Sequence, residues 1–218
     1  MNATMVNFDK KTRGRGRPKI FDRESVLDKA MVLFWAHGYE GTSLSDLVKV
    51  TGAKAPTLYA EFGNKEGLFR AAMERYIENF DMHRKEALEC TEGGVAQRIE
   101  NYFRSVAACF TDRNKPAGCF VICNSMALAE SSGDVARMLL GQHHTQEVML
   151  RDFLEKRQQH QELPSDTDVA RVAQYLSCIL QGMSVRAREG ATLIELGCII
   201  DTLINLWPVL ITTTIKNT

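Results

Sequence analysis

The chain has 218 residues, 44% of them hydrophobic and 25% charged, which excludes global disorder and predicts one small module plus one larger one. The formal charge is zero, yet residues 1–75 carry 13 Lys/Arg against 9 Asp/Glu and the rest carry 14 against 18. A basic head on an acidic body predicts that the head meets a polyanion while the body does something else. Met1 to Lys19 has no apolar stretch fit for a secretory signal, and the uncharged run Thr202 to Ile215 is too short to span a bilayer. Cys90, Cys109, Cys119, Cys123, Cys178 and Cys198 follow no disulfide-scaffold spacing. A cytoplasmic protein with reduced thiols and no membrane partner is expected.

Residues 1–20 read as a flexible basic arm. Its core, Arg13-Gly14-Arg15-Gly16-Arg17-Pro18-Lys19, is similar to an AT-hook. Gly and Pro keep such a chain extended, so that Arg15 and Arg17 can enter the narrow minor groove of A·T-rich DNA. Asp22 is an N-cap for a first helix, with Val26, Ala30, Leu33 and Phe34 on one face and Gly38 ending it. Ser43 with Asp46 resembles a capping box ahead of Leu44, Leu47 and Val48. After the break at Thr51-Gly52, a very short helix runs from about Pro56 to Phe62.

That succession has the spacing of a helix-turn-helix, whose second helix lies in the major groove of DNA. Leu58 and Phe62 are four apart and share the inward face, leaving Lys54, Ala55, Thr57 and Tyr59 to project outwards. Lys54 suits a phosphate or a guanine edge, Thr57 either, and Tyr59 a phosphate. Glu61 is a carboxylate beside DNA, unfavourable unless it accepts from a cytosine or pairs with a neighbour.

The run Phe34-Trp35-Ala36-His37-Gly38-Tyr39-Glu40-Gly41-Thr42-Ser43, followed by Gly52-Ala53-Lys54-Ala55-Pro56-Thr57-Leu58-Tyr59-Ala60-Glu61-Phe62-Gly63-Asn64-Lys65-Glu66-Gly67-Leu68-Phe69, resembles the DNA-binding domain of the TetR family of repressors, in order and without a gap. The resemblance implies an all-α fold. A three-helix head, with residues 21–66 for DNA, would be joined by a fourth helix to a larger helical domain, residues 67–218, for effector binding and dimerisation. It implies operator contacts from Thr57 and Tyr59, and a phosphate contact from Lys65; Thr42 and Ser43, at the entry to the second helix, are expected to meet DNA as well. Pro56 and Glu61 depart from the commonest pattern of the family.

The body reads as helices. A long one runs from Asn64 to about Glu89, then come Val95 to Phe110, Cys119 to Ala129 and about Val135 to Gln159. Another opens at Asp166 or Asp168, and Leu193 to about Ile215 is the last. No catalytic order of residues stands out, so an enzyme is not expected, nor is a cofactor. His143-His144 with Cys119 and Cys123 is a weak case for a metal, because adjacent histidines point apart on a helix. Cys119 follows Pro116-Ala117-Gly118 and is expected in the first turn of its helix, where the dipole would acidify it, with Cys123 one turn on. These two are the candidate thiol sensor. The last helix is apolar nearly all round and needs a partner. Leu176, Leu180, Met183, Leu196, Ile200, Leu203 and Trp207 are the expected seam of a homodimer.

The expectation is a sequence-specific regulator that binds a near-palindromic double-stranded operator and is released by a small-molecule effector of unknown identity. Thiol sensing through Cys119 is the alternative, and an architectural DNA binder without effector is a remote one.

Overall fold

The computed structural model describes residues 21–89, 93–126 and 133–212, with the backbone alone for 81–85. Among the described residues there are nine helices and no strand. The first three are α1 (Arg23–His37), α2 (Leu44–Thr51) and α3 (Ala55–Phe62); α4 (Lys65–Glu89) leads away from them. The body adds α5 (Val95–Phe110), α6 (Phe120–Ser125), α7 (Gly133–Gln159), α8 (Val169–Arg188) and α9 (Leu193–Thr212).

The helix ends follow from local chemistry. Asp22 caps α1 by accepting the Ser25 N–H at 3.2 Å. The reciprocal box of Ser43 and Asp46 opens α2, and Asp168 accepts from the Arg171 N–H at 3.0 Å to open α8. Thr192 and Glu195 make a further reciprocal pair at the start of α9, with the Thr192 N–H donating to the carboxylate at 2.7 Å. The sequence shows that pattern too, as a threonine three residues before a glutamate.

One continuous apolar core runs from α1 to α9. Its joint is aromatic. Phe69 and Tyr76 of α4 each stack on Phe120 of α6, at centroid separations of 5.3 and 5.4 Å. Trp35 and Phe34 of α1 meet Tyr76 and Phe69 edge-on at 5.1 Å. Such pairs favour a fixed angle as well as burial, so the ring set ties head, α4 and body together.

Two expectations about the body change. The helix expected from Cys119 is shorter than the pattern suggested: α6 ends at Ser125, and 127–132 lie outside the described residues. It also starts one residue later, so Cys119 is its N-cap and not part of its first turn. The expected homodimer seam is the second. Leu176, Leu180, Met183, Leu196, Ile200, Leu203 and Trp207 are all 5% exposed or less within the single chain. Helical period alone cannot tell a face covered by the chain's own α5 and α7 from one covered by a second copy. The apolar side chains left outside on α9 are Leu193, Ile194, Leu206 and Val209, at 50, 80, 43 and 59% exposure.

Candidate nucleic-acid interface and cavity

The turn between α2 and α3 is fixed by its own polar groups. Gly52 takes a φ of 72°, a left-handed conformation that suits glycine, and donates its N–H to the Val48 carbonyl at 3.0 Å. Thr51 Oγ1 donates to the Leu47 carbonyl at 2.6 Å and accepts the Ala53 N–H at 3.2 Å. Leu47 and Leu58 are buried and Phe62 is half-buried, which seats α3 with one face inward. Lys54, Thr57 and Tyr59 are exposed on the other face, while Ala55, at the first helical position, is half-buried. Helix spacing thus predicts the outward set correctly for the three longer side chains.

The entry to α2 is different. Thr42 is fully buried, and its hydroxyl donates to the Gly38 carbonyl at 2.8 Å. It locks the α1–α2 turn and its side chain cannot reach DNA. Ser43 is exposed, but its hydroxyl serves the cap: it accepts the Asp46 N–H at 3.1 Å and donates to the Asp46 carboxylate. Those bonds hold the Asp46 carboxyl below the usual carboxylate range. Glu61 has found a neighbour, since Arg23 Nε donates to it at 2.9 Å, and the same guanidinium lies 5.5 Å from the Phe62 ring centroid. The pair lowers the repulsion that an isolated carboxylate would exert on phosphates. Lys65 is half-buried with Nζ 4.3 Å from the centre of the Tyr39 ring, and burial lowers its pKa. Arg15 and Arg17 lie outside the described residues.

The body holds a cavity of about 580 Å³. Ile77 and Leu88 of α4, Tyr102 of α5, Val121 and Ile122 of α6 and Met149 of α7 supply apolar wall. Arg98, Gln142, His143, Gln146, Lys156 and Arg157 supply polar groups. Large, mainly apolar and with a few converging polar groups, this is the usual make-up of a small-molecule site. Burial pushes the His143 pKa down, and its Nε2 lies 2.8 Å from Ser125 Oγ. His144 beside it is exposed. Among the described residues no group of three or more His, Cys, Asp or Glu is placed to hold a metal ion.

Cys119 also borders the cavity. It is 5% exposed; its sulfur accepts from the Tyr76 hydroxyl at 3.4 Å, and its N–H donates to Ser184 Oγ at 2.8 Å. As the N-cap of a helix of 6 residues, it faces a much smaller dipole than the sequence suggested. Burial raises the Cys123 pKa, with the Arg188 charge opposing. Neither cysteine sits in the exposed, electropositive setting that marks a reactive thiol. Two residues that matter escaped the sequence reading. Arg98 shares the α5 face of Val95, Ile99 and Tyr102, and a charge in an apolar stripe was its signal. Arg188 gave no local signal at all, because its partners are 71 residues away in the loop before α6 and 152 or more away in α1.

A helical head with an exposed recognition face, joined through one core to a body with a cavity, has the make-up of a DNA-binding regulator. The family described as "Bacterial regulatory proteins, tetR family" matches residues 26–72, and "Tetracyclin repressor-like, C-terminal domain" matches residues 95–191. The HTH-type transcriptional repressor ComR of Escherichia coli K12 is 53% identical over 199 residues, covering 91% of this chain and 95% of ComR. The E. coli repressor BdcR is 26% identical over 187 residues, 86% of this chain and 89% of its own. Among solved structures, a cysteine mutant of the TetR family regulator CifR, complexed with 26-bp double-strand operator DNA, superposes with a TM-score of 0.84 at 30% identity, covering 88% of this chain and 100% of that one. E. coli NemR in its reduced form shares the fold, at TM-score 0.69 and 22% identity over 84% of this chain and 95% of that one. The chain belongs to the tetR family of bacterial transcriptional regulators.

Proposed function

We propose that this protein represses transcription from a near-palindromic operator as a homodimer, and that a small molecule entering the body's cavity releases it. The observation that carries the reading is the joining of the two sites. α4 lines the cavity with Tyr76, Ile77 and Leu88, and at its other end it begins directly after the recognition helix with Lys65. The rings of Phe69, Tyr76 and Phe120 make this one packed unit. A ligand that pushes α4 away from α6 changes the angle of the head, and with it the spacing of two heads on their half-sites. Because coupling is reciprocal, such a ligand binds the operator-bound protein more weakly. The head of residues 21–66 reads DNA and the body of 67–218 senses and assembles.

In the head, Lys54, Thr57 and Tyr59 contact the major groove and its phosphates, Ser43 and Lys65 contact flanking phosphates, and Ala55 allows close approach to the groove. Arg15 and Arg17 of the arm add the minor groove. The test is selection of bound sequences from random DNA, followed by binding of the recovered operator over a range of salt. A symmetric site with steeply salt-dependent affinity supports the proposal; binding without sequence preference overturns it. A repressor that acts on the chromosome resides in the cytoplasm.

A second reading is thiol sensing through Cys119, favoured by its place on the cavity wall. It ranks second because the thiol is buried and already engaged by the Tyr76 hydroxyl. If Cys119→Ser still releases operator under electrophile or oxidant, this reading fails.

A further inference from the structure

Arg98 is 8% exposed in the middle of the apolar face of α5, and it lines the cavity. One terminal nitrogen lies 3.5 Å from the Glu162 carboxylate, while its buried Nε–H has no acceptor among the described residues. Arg157 on α7 borders the same cavity and donates to Glu162 at 3.0 Å, and its Nε is likewise buried without a partner. Two guanidinium groups therefore share one carboxylate, and among the described residues each keeps an unanswered donor. Buried donors of this kind are rare, because folding removes the water that would have satisfied them. Glu89 and Asp152 also border the cavity, but both are exposed, where solvent screens them.

We infer that the effector is an organic anion: an apolar body with a carboxylate that accepts from Arg98 and Arg157. This inference rests on the effector-release reading above and gives its ligand a chemical class. A second carboxylate balances two cations with two anions. It also supplies acceptors in the planar geometry that guanidinium groups recognise best. Much of the remaining wall suits a hydrocarbon or aromatic body, with Ile77, Tyr102, Val121, Ile122 and Met149, while Gln142, His143 and Gln146 add neutral polar groups and Lys156 an exposed cation. A volume of about 580 Å³ has room for far more than a bare inorganic anion.

The test is calorimetric titration of the full-length protein with decanoate and 2-naphthoate, each beside its neutral amide of nearly equal size. The carboxylates are expected to bind about tenfold more tightly than the amides, as charge-assisted bonds to guanidinium require. Arg98→Gln brings each pair within about twofold, and Arg157→Gln makes the same test should Arg98→Gln fold poorly. Glu162→Gln acts oppositely: it frees both guanidinium groups from their present acceptor and tightens carboxylate binding severalfold. A merely structural Arg98–Glu162 pair would lose stability in both variants and show no such opposition. Equal binding of acid and amide, or a preference that survives both arginine substitutions, overturns the inference while leaving a neutral-ligand cavity and the proposed function intact. Binding by none of the probes overturns the inference and the cavity reading together.

Discussion

Tyr59 stands 42% exposed on α3, one turn before the Gly63 that ends the helix, with its ring free of the protomer's aromatic stack. Its hydroxyl has no hydrogen-bond partner among the described residues, so truncation should remove the proposed DNA contact and little else. Tyr59→Ala is expected to weaken operator binding by about 1–2 kcal/mol with thermal stability unchanged. Fluorescence anisotropy on operator, beside a melting curve, checks both halves, and wild-type affinity in a folded variant would mean that α3 does not lie as placed. Arg188 works at the other end of the coupling. It donates to the carbonyls of Trp35 and Ala36, the negative end of α1, and to Ala117 in the loop before α6. One side chain thus clamps α8 and that loop to the head. Arg188→Ala should lower stability by about 1 kcal/mol, given its partial exposure. It should also weaken operator binding, because a head no longer held must be ordered on DNA. Unchanged affinity would leave the aromatic joint alone in setting the angle.

Among the elements, the loop before α6 is held by a close approach to α8. Gly118 has a φ of 79°, and a Cβ there would sit 2.7 Å from the Ser184 carbonyl and 3.1 Å from the Cys123 sulfur. The close approach lets Cys119 donate to Ser184 and fixes α6 against α8. Gly118→Ala combines a left-handed backbone, costing about 1–2 kcal/mol by itself, with a clash against backbone. Denaturant titration should show a loss at least that large, and a neutral result would mean that the loop moves freely. On α7, His143 titrates with a native pKa pushed below 6.5 by burial. The unfolded chain therefore takes up the proton first as pH falls. Stability is expected to be full above pH 6.5 and to decline from there down to the native pKa. His143→Gln should flatten that part of the profile, and an unchanged slope would assign it to other groups.

At the scale of the whole molecule, α9 is long and apolar, and the described residues cover one of its faces. Leu196, Ile200, Leu203 and Trp207 pack inward, while Leu193, Ile194, Leu206 and Val209 stay outside. Paired copies of this chain would cover that outer face, together with the exposed side of α8 at Gly182. Substitutions on the two faces should therefore fail differently. Ile194→Glu with Val209→Glu is expected to give a folded monomer with weak operator binding, because one head reaches only one half-site. Leu203→Glu, which is 2% exposed, places a charge in the protomer's own core and should destabilise the fold by several kcal/mol. Analytical ultracentrifugation and circular dichroism separate the two outcomes, and a dimeric double variant would move the interface off α9.

Much of the architecture was legible in local pattern. Asp22, the Ser43–Asp46 box and Gly52 act within a turn of their own position, so their residue types suffice to place helix ends, whereas the choice of Asp168 over Asp166 at α8 took the structure. The outward Lys54, Thr57 and Tyr59 follow likewise, since four-residue spacing with Leu58 and Phe62 fixes which face turns in. Signals of that kind depend only on neighbours in the chain. What the tertiary structure alone decided depends on residues far apart. Thr42 turned inward, because the tight α1–α2 corner offered its hydroxyl the Gly38 carbonyl. The apolar seam of α8 and α9 went to the protomer's own core, because α5 and α7 were there to cover it. Cys119 became a buried N-cap engaged by Tyr76, 43 residues away. Arg98 and Arg157 came to share Glu162 on a cavity wall, a charge arrangement set by three-dimensional packing, which sequence periodicity does not encode.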